Sequence, residues 1–236
     1  MTIYLTIDTS AAITVGLAQW DLGVVRELAV ESSPHKRHHA ELLAPMVRSV
    51  LDIAGISAPD AVIVGTGPGA FTGLRAGLVT ARTLARAWNV ELYGLSSLDI
   101  MALGALDQGA QIIVPMIDAR RKEVFAARMH ALGADDVEIV QGPSIYKPDE
   151  VAQMIAAQPG VVAVSEADLY PSVGVHRVEV GFAPAVMARL VQSRIARIQA
   201  GENLTLDTEP QYLRRPDVHE AGHSQPAAEG NPYAAN

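Results

Sequence analysis

The chain opens on alternation. In "IYLTIDT" Ile3, Leu5 and Ile7 point one way and Tyr4, Thr6 and Asp8 the other, which predicts a half-buried β-strand. "ITVGLAQW" repeats the pattern with Ile13, Val15 and Leu17. After the turn signal "DLG", the run "VVRELAVES" predicts a third strand, so the three form a meander. The period then becomes helical. A helix is expected from about Pro34 to Gly55, followed by the strand "AVIVG" and a helix after a glycine-rich loop. The strand "VELYGL" and the helix "SSLDIMALGAL", with a serine cap, come next.

This order then begins again. "QIIVPMIDA" and "EVFAARM" read as strands flanking "RRK". "APAVMARLVQSRIARIQAG" reads as a helix, with Pro184 in its first turn, Met187, Val191, Ile195 and Ile198 on one face, and Gly201 as its stop. Two similar α/β halves are expected, with their boundary near residues 103–110. From about Pro216 the chain is Ala, Gly, Glu, Pro and Asn without period, so 216–236 is expected to be a disordered tail.

The stretch "GTGPGAFTGLRAG", between the strand "AVIVG" and its helix, sits where nucleotide-binding folds hold phosphate. Its spacing fails both motifs. The dinucleotide fingerprint needs G-x-G-x-x-G, and here Gly67 and Gly69 are followed by Gly73, one residue late. The Walker loop needs Lys, and Leu74 stands in its place. The glycines are therefore expected to make a sharp turn. In the following helix Phe71, Leu74, Leu78, Ala81, Ala85 and Trp88 form an apolar seam, and Arg75, Arg82 and Arg86 share another side. Gly73, Ala76, Gly77 and Thr80 make a thin third face, and small residues one turn apart let another backbone approach closely. Either the seam and the thin face both bury within one domain, or the thin face meets a partner.

Composition narrows the classes. At 49% hydrophobic and 19% charged, the 236 residues suit a globular protein with a substantial core. The absence of cysteine excludes disulfides, thiolate metal sites and cysteine nucleophiles, and suits a reducing compartment. The N-terminus lacks a signal-peptide pattern and no apolar run approaches membrane-span length, so a cytoplasmic protein without a membrane partner is expected. The net charge of −8 is concentrated at the end: −2 over residues 1–100, −2 over 101–200 and −4 over 201–236. Without a basic excess, nucleic-acid binding by the isolated chain has little to drive it.

Five elements in one order carry a resemblance: "IDTS" from Ile7, "RHHAELLAP" from Arg37, the glycine loop, "IDARRKEVFAARM" from Ile117, and "EPQYLRRPD" from Glu209. Together they resemble the TsaB (YeaZ) family over nearly the whole chain except the tail. The resemblance implies an α/β, two-lobed fold like actin and sugar kinases, built from ribonuclease H-like repeats with mixed sheets and flanking helices. Residues 1–105 would form a partner-binding lobe. Residues 106–215 would form a second, degenerate lobe whose C-terminal segment returns to the first. It also implies a function: supporting a TsaD-like catalytic subunit, with a TsaE-like ATPase, in placing a threonylcarbamoyl group on N6 of adenosine 37 in tRNAs that read ANN codons. tRNA would be met only within that complex, and a homodimer is a further expectation.

The residues expected to do chemistry are sparse. Asp8 and Asp118 stand at the fold's two phosphate-loop positions, but "DTSAA" lacks the needed glycine and Asp118 precedes Ala119 and the bulky Arg120. "VVAVSEADLYPSVG" has no glycine pair for an adenosine. No catalytic residue is therefore expected, and Asp8 is read as capping the turn into the second strand. No cofactor is expected on the chain alone; ATP or ADP would belong at a joint with partners. His35 and His39 have i, i+4 spacing but no evident third ligand, so no metal is expected. No G-x-S-x-G elbow occurs. "DARRKE" reads as a solvated hairpin end, with Arg–Asp and Lys–Glu pairing, in preference to a nucleic-acid contact. The expected partner surface is His39, Glu41, Gly73, Ala76, Gly77 and Thr80. Two other functions remain open: a small-molecule kinase or ATPase of the same fold, and a homodimeric binding module.

Overall fold

The computed structural model describes residues 1–33 and 39–214. The expected helix start at Pro34, the histidine His35, and the tail 216–236 lie outside them.

The first half runs β1 (Thr2–Asp8), β2 (Ile13–Asp21), β3 (Val24–Ser33), α1 (His39–Ala54), β4 (Ala61–Gly65), α2 (Phe71–Trp88), β5 (Glu91–Leu95) and α3 (Ser97–Leu106). The second runs β6 (Ile112–Arg120), β7 (Glu123–Ala131), β8 (Val137–Tyr146), α4 (Pro148–Ala157), β9 (Val161–Val164), β10 (Arg177–Glu179) and α5 (Pro184–Gln199). The sheets have the same topology. One is ordered β3-β2-β1-β4-β5 and the other β8-β7-β6-β9-β10. In each, three antiparallel strands are extended by two parallel to the first. A shared strand order with shared senses is the signature of a repeated ribonuclease H-like unit.

The layers explain where alternation misled. β1 is buried from Tyr4 through Asp8, not on one face only. Leu5 and Ile7 enter a core under α1 and α2, while Tyr4 enters another with α3 and α5. A central strand with helices on both sides has no wet face. α5, from the second half, packs on β1, β2 and β3, and α3, from the first, packs on β6, β7 and β9. α3 is apolar all round and buried from Ser97 to Ala105, as a helix between two sheets must be. The two sheets thus share one core.

Charge fastens this exchange. Arg189 pairs with Asp107 at 2.7 Å and Asp135 at 2.7 Å. Arg194 pairs with Asp99 at 2.7 Å and Asp136 at 3.1 Å, and Arg197 reaches Asp136 at 2.6 Å. Asp136, 1% exposed, also accepts the Val137 N–H. Buried carboxylates persist when they are paired or hydrogen-bonded in this way.

Candidate functional site

The first strands of the two repeats end at one cleft, lined by Thr9, Ser10 and Ala11 just after Asp8 and by Ile117, Asp118 and Arg120. Each carboxylate turns back on its own chain. Asp8 Oδ1 accepts the Ser10 N–H at 2.8 Å, and Asp118 Oδ1 accepts the Arg120 N–H at 2.8 Å. The same i to i+2 bond at equivalent places is a relic of the repeat.

The Asp8 corner is packed shut. Ser97 Oγ donates to Asp8 Oδ2 at 2.6 Å, and the Ser10 and Ser97 hydroxyls are 2.6 Å apart. Ser96 holds the cap position of α3, where a serine was expected, but makes no side-chain cap bond. Burial pushes the Asp8 carboxyl up to about 6, against the lowering effect of the Ser97 and Ser10 hydrogen bonds.

The glycine loop exists to fit this corner. A Cβ at Gly65 would collide with the Asp8 carboxylate, and one at Gly69 would lie 2.7 Å from Ser10 Cα. A Cβ at Gly77 would collide with Thr9 Oγ1, which donates to the Gly73 carbonyl at 2.9 Å. The glycines are therefore spaced for residues 8–10 of their own chain. Gly73 and Gly77, expected on a partner surface, are buried inside the first lobe. The small face is covered by a short loop that helical periodicity has no means of showing.

At the second corner, Arg120, Arg121 and Lys122 all have positive φ, at 63°, 55° and 62°. Left-handed backbone without glycine costs roughly 1–2 kcal/mol per residue, so this hairpin is strained. Arg120 pairs with Asp118 at 3.1 Å, as the sequence suggested. Glu123, however, pairs with Arg214, from the other end of the chain, in place of the expected lysine. A cavity of about 210 Å³ lies here, walled by the start of α2 (Ala70, Phe71), by Arg120 and Phe125, and by Tyr212 and Arg214. Tyr170 packs against the second-lobe core nearby; burial raises its hydroxyl's pKa, and Asp118 and Glu123 add to this.

Residues 202–214, the segment expected to return to the first lobe and the carrier of the motif "EPQYLRRPD", form an irregular strap. Gln211 N donates to the Thr66 carbonyl at 2.9 Å and Gly94 N to the Leu206 carbonyl at 2.8 Å. The α2 arginines, noted as one side of a helix, hold it: Arg82 bonds the Thr208 carbonyl at 2.6 Å and Arg75 the Tyr212 hydroxyl at 2.9 Å. Arg75 also lies 3.8 Å above the Phe71 ring, whose centroid is 5.0 Å from that of Tyr212.

Of the other expected interface residues, His39 opens α1, Glu41 is exposed in its first turn, and Ala76 and Thr80 are half-buried. Thr80 lines an apolar groove of about 380 Å³ between α1 and α2, with Ala44, Val47, Leu51, Leu84 and Trp88. Among the described residues no cluster of His, Asp or Glu is arranged to hold a metal, and no helix is long and apolar enough to cross a membrane.

A family model described as "TsaD: tRNA N6-adenosine threonylcarbamoyltransferase" matches residues 26–199. The "tRNA threonylcarbamoyladenosine biosynthesis protein TsaB" of Escherichia coli is 39% identical over 126 residues, 52% of this chain and 53% of that one. The chain spans about half the length of the curated TsaB relatives it matches. Two solved structures from Pseudomonas aeruginosa are similar over nearly the whole fold. One, an uncharacterized protein with similarity to peptidase YeaZ, is 28% identical with a TM-score of 0.72, covering 91% of this chain and all of that one. The other, YeaZ, is 29% identical with a TM-score of 0.68, covering 90% of this chain and all of that one. The repeated topology, the match over well over half of the chain and the named relatives agree: the chain belongs to the TsaD family and, within it, to the TsaB (YeaZ) proteins.

Proposed function

We propose that this chain is a non-catalytic partner subunit of a TsaD-like enzyme, supporting formation of threonylcarbamoyladenosine in tRNA. The relatives' names supply the pathway. The observation that carries the non-catalytic part is the state of the two corner carboxylates. Asp8 is 1% exposed, with both oxygens bonded and glycines packed against it. Asp118 is occupied by Arg120. Asp8 is therefore not left to position a metal-bound phosphate or activate water, which also disfavours a kinase or ATPase. Ser10 and Ser97 are sealed in the same corner and bonded to each other, an arrangement that favours scaffolding over peptidase chemistry.

The partner surface we propose is the outer face of α1 and α2, around the groove lined by Ala44, Thr80 and Leu84, with Glu41 at one end. A TsaD-like subunit would cover it, and a second copy of this chain would compete for the same place. A TsaE-like ATPase would join the pair. ATP or ADP would belong at a joint with partners over the interlobe cavity, which Arg120, Arg121 and Arg214 line. tRNA would be gripped by the assembly, since the chain alone carries a net charge of −8.

The test is a sizing column with this chain and its TsaD-like partner, with and without ATP. A joint peak is expected. Ala44→Arg, at an exposed groove position, is expected to abolish that peak and leave melting unchanged. No joint peak for the native chain, or ATP turnover by the isolated chain that vanishes in Asp8→Ala, would overturn the reading.

A further inference from the structure

The strap of residues 202–214 does more than follow α5. It begins after Gly201, where α5 stops with φ +95°, and runs without helix or strand. Its fastenings come from three places. The ends of β4 and β5 hold it through Thr66 and Gly94. The exposed side of α2 holds it through Arg82 and Arg75. The β7 end holds it through Glu123, which pairs with Arg214. It is thus the segment that ties the first sheet to the second across the mouth of the cleft. Its last three residues, Tyr212 to Arg214, are one wall of the 210 Å³ cavity there.

The fastenings differ in kind. Those to Thr66 and Gly94 are backbone hydrogen bonds beneath the strap. At Gly94 the backbones are so close that a Cβ would collide with the Asp207 carbonyl. Those to α2 are side-chain bonds open to solvent: the Arg82 side chain is 46% exposed, and Arg75 is exposed. Outer bonds of this type compete with water and with any carboxylate that arrives from outside. On its α2 side the strap is therefore held by two guanidinium groups reachable from outside: Arg75 at Tyr212 on the cavity wall, and Arg82 at Thr208 and Glu209 just before it.

We propose that the strap is a latch on the interlobe cavity, with Arg75 and Arg82 as its catch: releasing these two arginines from Tyr212, Thr208 and Glu209 lifts residues 205–214 and opens the cavity while the two sheets stay folded. This holds whatever protein meets α2. Energetically it requires that the strap open as a unit separate from the shared core. The contacts support that, since only Leu206 and Leu213 of the strap are packed against the core, and both are half-buried.

Hydrogen exchange by mass spectrometry on the full chain tests it. In Arg75→Ala/Arg82→Ala, peptides covering 205–214 and the Gly94 amide are expected to exchange at least about tenfold faster, with α3 and β6 peptides unchanged. Glu123→Gln, which loosens only the far end, is expected to accelerate 211–214 alone. Unchanged exchange of 205–214 in the double variant would overturn the latch. So would faster exchange of α3 and β6 in step with the strap, because the strap would then be part of the global fold. Release of the whole strap by Glu123→Gln alone would also overturn it, by placing the catch on the second sheet.

Discussion

Replacing Gly77 by alanine sets two effects of opposite sign against each other. Gly77 is in the interior of α2, where alanine should stabilise by about 1 kcal/mol through helix propensity. Against this, the new Cβ would collide with Thr9 Oγ1 and lie 3.1 Å from Thr9 Cγ2. Thr9 is 2% exposed, short and β-branched, and its hydroxyl is bonded to the Gly73 carbonyl at 2.9 Å, so it has no easy way to yield. Overpacking costs about 1–3 kcal/mol, and loss of the hydroxyl bond about 1 kcal/mol more. The sum is a net loss of about 1–3 kcal/mol, which in a chain of this size lowers Tm by about 3–9 °C. The assay is thermal unfolding followed by circular dichroism, with urea titration as a check. Thr9→Ala removes the obstructing atoms, so the double variant should be more stable than the sum of the singles by about 1–3 kcal/mol. A rise in Tm for Gly77→Ala alone would refute the reasoning, because helix propensity would then be the only effect present.

Asp8→Asn should alter the pH dependence of stability. The folded carboxyl titrates at about 6, above its unfolded value of about 3.9, so the folded state holds the proton more tightly. Stability from this group is full below about pH 4 and falls by about 3 kcal/mol as pH rises through 6; urea titrations from pH 4 to 7 should show the wild type losing this relative to the variant. Asp136→Ala should cost about 2–3 kcal/mol, because it unpairs the Val137 N–H and takes one partner each from Arg194 and Arg197, which keep Asp99 and Glu202; a loss under 1 kcal/mol in urea would refute the account of that network. Arg128→Met should cost about 2–3 kcal/mol, because this buried guanidinium caps the end of α4 at the Met154 and Gln158 carbonyls, and Arg128→Lys should recover little of it in the same assay.

What the sequence determined by itself follows from local rules. Period-two runs at Ile3–Ile7 and Ile13–Leu17, helical runs with Gly201 and Pro184 at their ends, and the return of the same order after residue 110 require only neighbours a few positions apart, and the repeated topology follows from them. The failed spacing of the glycine loop was legible for the same reason. What covers each face was not. The thin face at Gly73 and Gly77 has the same sequence whether a partner helix or Thr9 lies on it, because a helix records which of its sides is small and not what is placed there. Glu123 has a lysine beside it in sequence and Arg214 in space; the chain's return across the cleft made that choice. Asp8 had to be an acid at a strand end to be noticed, but its buried bond with Ser97, 89 residues away, follows only from where the assembled layers place the start of α3. Local propensity sets the elements; the pairing of polar groups buried between them depends on distances that only the assembled layers fix.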